Sequence, residues 1–138
     1  MQSFLSPLLR SNATDHVLEN ARTRSIVAER LETAFDSASR RHGLLGRDGL
    51  PPGSALIIAP SNAVHTFFMR FSIDVLFVRR DGRVIKVRPR LHPWRVAASL
   101  RAFAVIELPA GSLLQSNTAA GDTLICRPAH RIDPLVRR

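Results

Sequence analysis

The sequence predicts an α+β domain that is rich in β-strands, with a curved, mostly antiparallel sheet or a partly closed small barrel and two short helices. Three observations support this prediction. Short apolar runs recur along the chain and are separated by turns rich in glycine and proline. The dipeptide Asp81-Gly82 separates two such runs at hairpin spacing. Two segments, residues 33–42 and 112–117, have the polar start that is typical of a short helix.

The individual elements follow from the apolar runs and the residues that interrupt them. Strands are predicted at residues 16–22, 24–31, 55–59, 73–80, 83–90, 103–108 and 123–127. In the first helix we expect Thr33 to be the cap, Asp36 to lie in the first turn, and Gly43 to end the helix. Residues 91–100 are predicted to be a connecting segment.

The length and composition indicate one domain with a buried core, since the chain has 138 residues and is 45% apolar. We expect residues 1–15 to form a loose arm, residues 16–127 the domain, and residues 128–138 a basic tail. No apolar run approaches the roughly 18 residues of a membrane-spanning helix. Without a secretory signal at its start, the sequence favours a cytoplasmic protein, or a periplasmic or secreted one if an upstream signal is missing.

The hairpin around Asp81-Gly82 predicts which residues share a face, because side chains alternate along a strand. The pairs on the first face, which we expect to be the core face, are Arg80–Arg83, Val78–Ile85, Leu76–Val87 and Asp74–Pro89. The pairs on the second face are Arg79–Val84, Phe77–Lys86, Val75–Arg88 and Ile73–Arg90. The second face is predicted to be mixed, with apolar side chains beside a row of basic residues.

Several motifs occur in a fixed order along the chain: residues 41–47 (RHGLLGR), 65–77 (HTFFMRFSIDVLF), 81–84 (DGRV), 93–95 (PWR), 107–111 (ELPAG) and 121–122 (GD). In their sequence and order they resemble the motifs of the domain-of-unknown-function 192 family. The resemblance covers residues 26–126 and implies a compact domain found in bacteria and archaea. It implies no activity, because none is established for that family.

The first functional hypothesis depends on Asp74. In the predicted register its carboxylate faces the core, where it has to be hydrogen-bonded, paired or protonated. Arg70 lies on the same face if the strand extends that far, whereas His65 reaches Asp74 only if the chain bends. We therefore predict a non-enzymatic domain with a polar pocket that binds a small polar or anionic ligand or a peptide. The predicted pocket residues are Asp74, Arg70, His65, Met69, Trp94 and Glu107.

A structural role for Asp74 is the main alternative to ligand binding. One buried acid in a small domain often accepts backbone N–H groups and fixes a turn or a strand crossing. In that case Asp74→Ala is expected to lower the free energy of unfolding by about 1 to 3 kcal/mol.

The sequence predicts no metal and no cofactor. His65 with Met69, and Cys126 with His130, are soft ligands, but neither pair has the grouping of a zinc site. Cys126 is the only cysteine, which excludes an intrachain disulfide and fits a reducing compartment.

The second functional hypothesis is a basic accessory protein that binds nucleic acid. The chain has 20 basic and 11 acidic residues, a formal charge of +9, and Lys86 is its only lysine. Arginines beside an aromatic residue can hold phosphates while bases stack. The predicted contact residues are Arg79, Lys86, Arg88, Arg90 and Arg95. Tail arginines could add a weak contact to an anionic surface; they are Arg131, Arg137 and Arg138.

The third hypothesis is a hydrolase-like enzyme that uses Asp74 with Glu107 or His65. Two carboxyl groups across a cleft, or a carboxylate beside a histidine, are arrangements that hydrolases use. The sequence contains no Gly-x-Ser-x-Gly motif and no phosphate-binding loop. An enzyme is therefore the least favoured of the three functions.

Overall fold

The computed structural model describes residues 2–129 and contains three sheets and three α-helices in that part of the chain. The helices are α1 (Ser6–Arg10), α2 (Ser37–His42) and α3 (Ser112–Ser116), and a 3-10 turn spans Ala13–Asp15. The strands are β1 (His16–Asn20), β2 (Ile26–Ala28), β3 (Arg30–Ala34), β4 (Ser54–Ile58), β5 (Ala63–His65), β6 (Ile73–Val78), β7 (Val84–Leu91), β8 (Val96–Ala98), β9 (Ala104–Pro109) and β10 (Leu124–Pro128). None of the helices in these residues is long and apolar enough to cross a membrane.

The largest sheet has five strands in the order β3-β4-β9-β6-β7, and a second sheet has the order β10-β1-β2. Strands β5 and β8 form a separate two-stranded sheet. The pair β3–β4 is parallel, and the other strand pairs are antiparallel. This confirms the predicted α+β class with mostly antiparallel sheets, although the sheets do not close into a barrel.

The N-terminal segment is not a loose arm, and the expectation of two helices misses α1. Leu5 and Leu8 are only 2% and 7% exposed, because Leu8 lies on the buried face of α1 and Leu5, at its N-terminal cap, packs into the same core. The backbone N–H of Phe4 donates to the carbonyl of Arg80 at 2.9 Å, which ties the segment to the hairpin turn. Residues 130–138, most of the predicted basic tail, lie outside the described residues.

The first predicted helix begins later than expected. Thr33 lies in β3, where it pairs with Ile57 of β4, so its backbone is used by the sheet. Asp36 is the cap instead, and its Oδ1 accepts the backbone N–H of Ser39 at 2.8 Å. Gly43 ends the helix with a φ of +49°, as predicted.

The centre of the predicted hairpin register is confirmed, with the pairs Val75–Arg88, Leu76–Val87 and Phe77–Lys86. Both ends of the hairpin shift because β-bulges interrupt the ladder.

The predicted two-residue turn is wrong. The N–H of Gly82 donates to the carbonyl of Arg79 at 2.9 Å, and Gly82 has a φ of +94°, so the turn is one residue longer. Val78 therefore pairs with Val84 rather than with Ile85, and Val84 becomes the buried residue. A side chain at position 82 would place its Cβ 2.5 Å from the carbonyl oxygen of Leu124, which only glycine avoids.

The three central strands, β4, β9 and β6, are buried on both faces, whereas the edge strands β3 and β7 are partly exposed. The prediction of one mixed face is therefore wrong for β6. All six residues of β6 are buried. One face packs on the first core, which includes Leu18, Leu31, Ile57, Leu76, Val78 and Ile106. The other packs on the second core, which includes Leu44, Ile58, Met69, Val75, Phe77 and Val105.

Candidate functional site

Asp74 is a buried carboxylate that the backbone saturates with hydrogen bonds. Its side chain is 1% exposed. Oδ1 accepts the N–H of Arg90 at 2.9 Å, and Oδ2 accepts the N–H groups of Gly111 at 3.1 Å and Leu113 at 2.9 Å. Asp74 thereby joins the bulged end of β7 to the start of α3, which is the structural role that the sequence left open.

The structure does not bring Asp74 together with the other predicted pocket residues. The guanidinium of Arg70 pairs with Oδ1 of Asp48 at 2.7 Å, and both side chains are exposed. Met69 belongs to the second core, on the opposite face of the sheet from Asp74. Trp94 is exposed and contacts Phe67 and Phe68.

Glu107 lies on the opposite face from Asp74. On β9, Leu108 pairs with Asp74 of β6, and Glu107 pairs with Val75. Adjacent residues of a strand point to opposite faces, and Val75 belongs to the second core. The two carboxyl groups therefore cannot act together across a cleft, which removes one form of the hydrolase hypothesis.

A cleft of about 450 Å³ lies above the Glu107 side chain. Its walls come from α2 and the turn after it, from the end of β4 with Pro60 and Ser61, and from all three residues of β5. Three of the predicted pocket residues meet here, namely His65, Met69 and Glu107. The cleft therefore contains half of the predicted ligand-binding set, but around a different carboxyl group.

Glu107 is the most unusual group of the cleft. It is 3% exposed, and its Oε1 has no hydrogen-bond partner among the described residues. Burial raises the pKa of Glu107 to about 7, although the positive charge of Arg47 acts in the opposite direction. Arg47 itself pairs with Glu32 at 2.8 Å. Near neutral pH the carboxyl group can therefore either donate or accept a hydrogen bond.

Basic side chains of α2 line the same cleft. Arg40 donates to the carbonyl of Phe35 at 2.7 Å, whereas Arg41 and His42 are exposed and have no partner among the described residues. No functional role was predicted for these three residues from the sequence. The run of basic residues before Gly43 was the sequence feature that could have indicated a binding site. It has an equally good structural explanation, because basic residues also stabilise the negative C-terminal end of a helix.

An exposed aromatic surface, formed by Phe67, Phe68 and Trp94, lies beside the cleft. Phe68 and Trp94 are 71% and 55% exposed, and their ring centroids are 4.6 Å apart. Both have a φ of +65°, which is uncommon for residues other than glycine. His65 connects this surface to the cleft, because its ring lies 5.1 Å from that of Phe67.

Thr66 holds the two loops of the aromatic surface together. Its hydroxyl donates to the carbonyl of His92 at 2.6 Å and accepts the N–H of Arg95 at 2.9 Å. Its backbone carbonyl accepts the N–H of Trp94 at 3.0 Å. The aromatic side chains are thus presented on a hydrogen-bonded support.

The five predicted nucleic-acid contacts do not form one compact patch. Arg79 lies at the hairpin turn near Asp81, at the far end of β7 from Arg90. At about 3.3 Å per residue, β7 separates these ends by roughly 20 Å. Lys86 donates to the carbonyl of Ala98 at 2.7 Å, and Arg88 is half-buried. Arg90 and Arg95 are exposed.

The remaining candidates for catalysis or metal binding do not assemble into a site. The hydroxyl of Ser72 hydrogen-bonds Nδ1 of His92 at 2.8 Å, but no described carboxylate orients that ring. Cys126 is buried, and burial raises its pKa to about 12, so the thiol stays protonated. The described residues contain no group of three or more His, Cys, Asp or Glu side chains placed to hold a metal, and His130 lies outside them.

Two solved structures share this fold. One is a protein of Sinorhizobium meliloti 1021 named as a candidate transcription regulator, with a TM-score of 0.69, 22% identity, and coverage of 79% of this chain and 89% of that one. The other is a protein of unknown function from Novosphingobium aromaticivorans DSM 12444, with a TM-score of 0.66, 23% identity, and coverage of 79% and 81%. At these identities the likeness shows the fold alone.

Sequence comparison identifies the family. The UPF0127 protein of Pyrococcus abyssi (strain GE5 / Orsay) is 35% identical over an alignment of 100 residues, and the alignment covers 67% of this chain and 82% of that protein. The family model of domain of unknown function 192 (DUF192, "Uncharacterized ACR") matches residues 17–126. The chain therefore belongs to the DUF192 family.

Proposed function

We propose that this chain is a non-enzymatic binding domain and that its ligand occupies the cleft above Glu107. The unpartnered Oε1 of this buried carboxyl group supports the proposal. A buried polar atom without a partner is costly, and native structures contain few of them. A ligand group that bonds Oε1 removes that cost, so ligand binding and the satisfaction of Glu107 are coupled.

The charges around the cleft define the ligand's chemistry. Arg41 and His42 offer donors to an anionic group at the rim, and Glu107 offers a hydrogen-bonding group at the floor. Leu44, Ile58 and Met69 supply apolar walls between them. The expected ligand therefore carries an anionic group and, a short distance away, a polar group that bonds a carboxyl. The single cysteine favours a reducing compartment such as the cytoplasm.

Binding can be tested with a panel of small molecules that combine an anionic group with a hydroxyl or an amine, such as amino acids, hydroxy acids and sugar phosphates. We expect at least one class to bind in calorimetry and to lose at least about tenfold in affinity in Glu107→Gln, through the lost carboxyl contact. Arg41→Ala should also weaken binding. Arg79→Ala, at the remote hairpin turn, is the matched control and should bind normally.

The pH dependence of binding identifies the form of Glu107 that the ligand uses. An ammonium group on the ligand predicts tighter binding above pH 7, where the carboxylate form dominates. A hydrogen-bond acceptor on the ligand instead predicts tighter binding below pH 7, where protonated Glu107 can donate to it. Affinity that depends on neither pH nor Glu107→Gln would overturn the proposal.

Nucleic-acid binding is the second candidate, favoured by the exposed aromatic surface beside Arg95. The name of the Sinorhizobium structure points in the same direction. The test is the affinity for single-stranded DNA as a function of salt. A steep decrease with added salt, less steep in Arg90→Ala and Arg95→Ala, is expected if these cations contact phosphates. A flat response would exclude this candidate.

A further inference from the structure

We propose that the cleft binds an extended acidic peptide segment, which adds to the free edge of β5 as a third strand. This inference rests on the proposed function, because it names the class of ligand for the same cleft. Peptides commonly bind to unpaired sheet edges in this way, with backbone hydrogen bonds for affinity and side-chain pockets for specificity.

The hydrogen bonds between β5 and β8 show which backbone groups are free. The N–H of Thr66 donates to Arg95, and the N–H of Ser99 donates to Asn62, each at 2.9 Å. In an antiparallel ladder, bonded pairs alternate with non-bonded pairs. The intervening pairs Ala63–Ala98 and His65–Val96 are therefore non-bonded, and their N–H and C=O groups point away from the partner strand.

Other contacts agree with this alternation. The carbonyl of Ala63 accepts the hydroxyl of Ser61 at 3.1 Å, and that of Ala98 accepts Nζ of Lys86, each from outside the two-stranded sheet. The N–H of Ala63 and the N–H and C=O of His65 have no hydrogen-bond partner among the described residues. These three groups are the ones that an incoming strand would bond.

The free edge of β5 borders the cleft. All three β5 residues line it, and among the described residues around it none belongs to β8. The cleft therefore lies on the side of β5 that β8 does not cover, between this edge and α2. A strand bound at the edge would occupy the cleft that Glu107 also lines, where the carboxyl group could accept a hydrogen bond from, or donate one to, a serine or threonine side chain.

The side chains around the edge favour an acidic peptide with one large apolar residue. Arg41 lies on the α2 side of the cleft and attracts carboxylates, as does the formal charge of +9, and His42 beside it offers a hydrogen-bonding ring. The aromatic surface begins two residues after β5 ends, so an apolar side chain near one end of the peptide can pack on it. A nucleic acid has no amide backbone to pair with a strand edge, which is why a peptide fits better.

The experiment uses the full chain, labelled with ¹⁵N, and a defined set of synthetic ten-residue peptides. Each peptide combines two or three glutamates, one serine and one phenylalanine or leucine, and each is paired with a version that is N-methylated at alternate residues. We expect saturable shifts of the Ala63, Val64 and His65 amides, slower hydrogen exchange at Ala63 and His65, and loss of binding on N-methylation.

Two proline variants provide a matched test of the edge. Ala63→Pro removes an outward N–H on the cleft side, and Ala98→Pro removes the equivalent N–H on the other edge of the same sheet. Ala63→Pro should weaken peptide binding by about tenfold, roughly the effect of one hydrogen bond, and Ala98→Pro should not. Circular dichroism verifies that both variants fold.

Three outcomes would overturn the inference. They are peptide binding that is equal in Ala63→Pro and Ala98→Pro, no binding of any peptide, and displacement of bound peptides from these amides by a ten-nucleotide single-stranded DNA. If no peptide binds but small polar molecules still bind and depend on Glu107, this inference fails while the proposed function stands. If neither binds, both fail.

Discussion

Asp74 and Glu107 are both buried carboxyl groups on neighbouring strands of one sheet, but their hydrogen bonding is opposite. Asp74 accepts three backbone N–H groups, whereas Oε1 of Glu107 has no partner among the described residues. Burial alone therefore does not predict how a carboxyl group is satisfied. Asp74 is held by the backbone and stabilises the fold, whereas Glu107 keeps one unpartnered oxygen, which is the feature on which the proposed binding site depends.

The largest expected effect is on Asp74. Asp74→Ala leaves the N–H groups of Arg90, Gly111 and Leu113 without an acceptor. We expect the free energy of unfolding to fall by about 4 kcal/mol, more than the range expected from the sequence, because three buried donors lose their acceptor at once. Urea denaturation measures this change. Asp48→Ala removes an exposed carboxylate and is the control, with an expected change within roughly 0.5 kcal/mol. A loss at Asp74 as small as in the control would contradict the structural role.

Glu107→Gln is expected to stabilise the protein, and more so at higher pH. The native pKa of about 7 lies above the usual 4.5, so the native state keeps a proton that the unfolded state loses between these values. Stability of the wild type therefore falls as the pH rises from about 4.5 to 7, by roughly 3 kcal/mol in total.

Glutamine does not titrate, so the gap in the free energy of unfolding between Glu107→Gln and the wild type should grow from about pH 4.5 to 7 and stay constant above pH 7. Urea denaturation at pH 4.5, 6 and 8 measures the gap. The difference at pH 4.5, where Glu107 keeps its proton in the native state, is the internal reference. A gap that is the same at all three pH values would mean that Glu107 is already satisfied.

The burial of Asp74 could be predicted from the sequence. The Asp81-Gly82 dipeptide identified a hairpin strand, and alternate residues 74, 76 and 78 of that strand share the face that was predicted to be the core face. It could not predict the saturation of Asp74, because two of the three donors come from the start of α3, almost forty residues away. The cleft could not be predicted from the sequence either. It depends on β9 lying between β4 and β6, an order that is set by tertiary packing rather than by local pattern.

A third buried carboxylate, Asp122, extends the comparison to a side chain held by a salt bridge. It accepts from Arg22 at 2.6 Å, Asn20 at 2.9 Å and the N–H of Ala119 at 2.8 Å. The Arg22 hydrogen bond holds the pKa of Asp122 well below its usual range. Its contribution to stability is therefore present above about pH 4 and is lost as the pH falls further, the opposite sign to Glu107.

Asp122→Asn should lower the free energy of unfolding by about 2 kcal/mol at pH 7, because the charge-assisted bonds to Arg22 weaken. Arg22 is about half exposed, so solvent limits the effect. The same measurement at pH 2 should show a smaller difference, since the wild-type carboxylate is then closer to protonation. An equal difference at both pH values would show that packing, rather than charge, holds this site.

The smallest expected effect tests the electrostatic link between Arg47 and Glu107. The positive charge of Arg47 opposes the effect of burial, so Arg47→Ala should raise the pKa of Glu107 further. Carboxyl ¹³C shifts of labelled glutamate report this titration directly. The unfolding free energy should change by no more than about 1 kcal/mol, since the Arg47–Glu32 pair is largely solvated. Arg70→Ala, which removes another exposed ion pair, should leave the Glu107 titration where it is. If Arg47→Ala and Arg70→Ala changed the pKa of Glu107 equally, the effect would come from the net charge of the surface, and Arg47 would have no specific electrostatic link to Glu107.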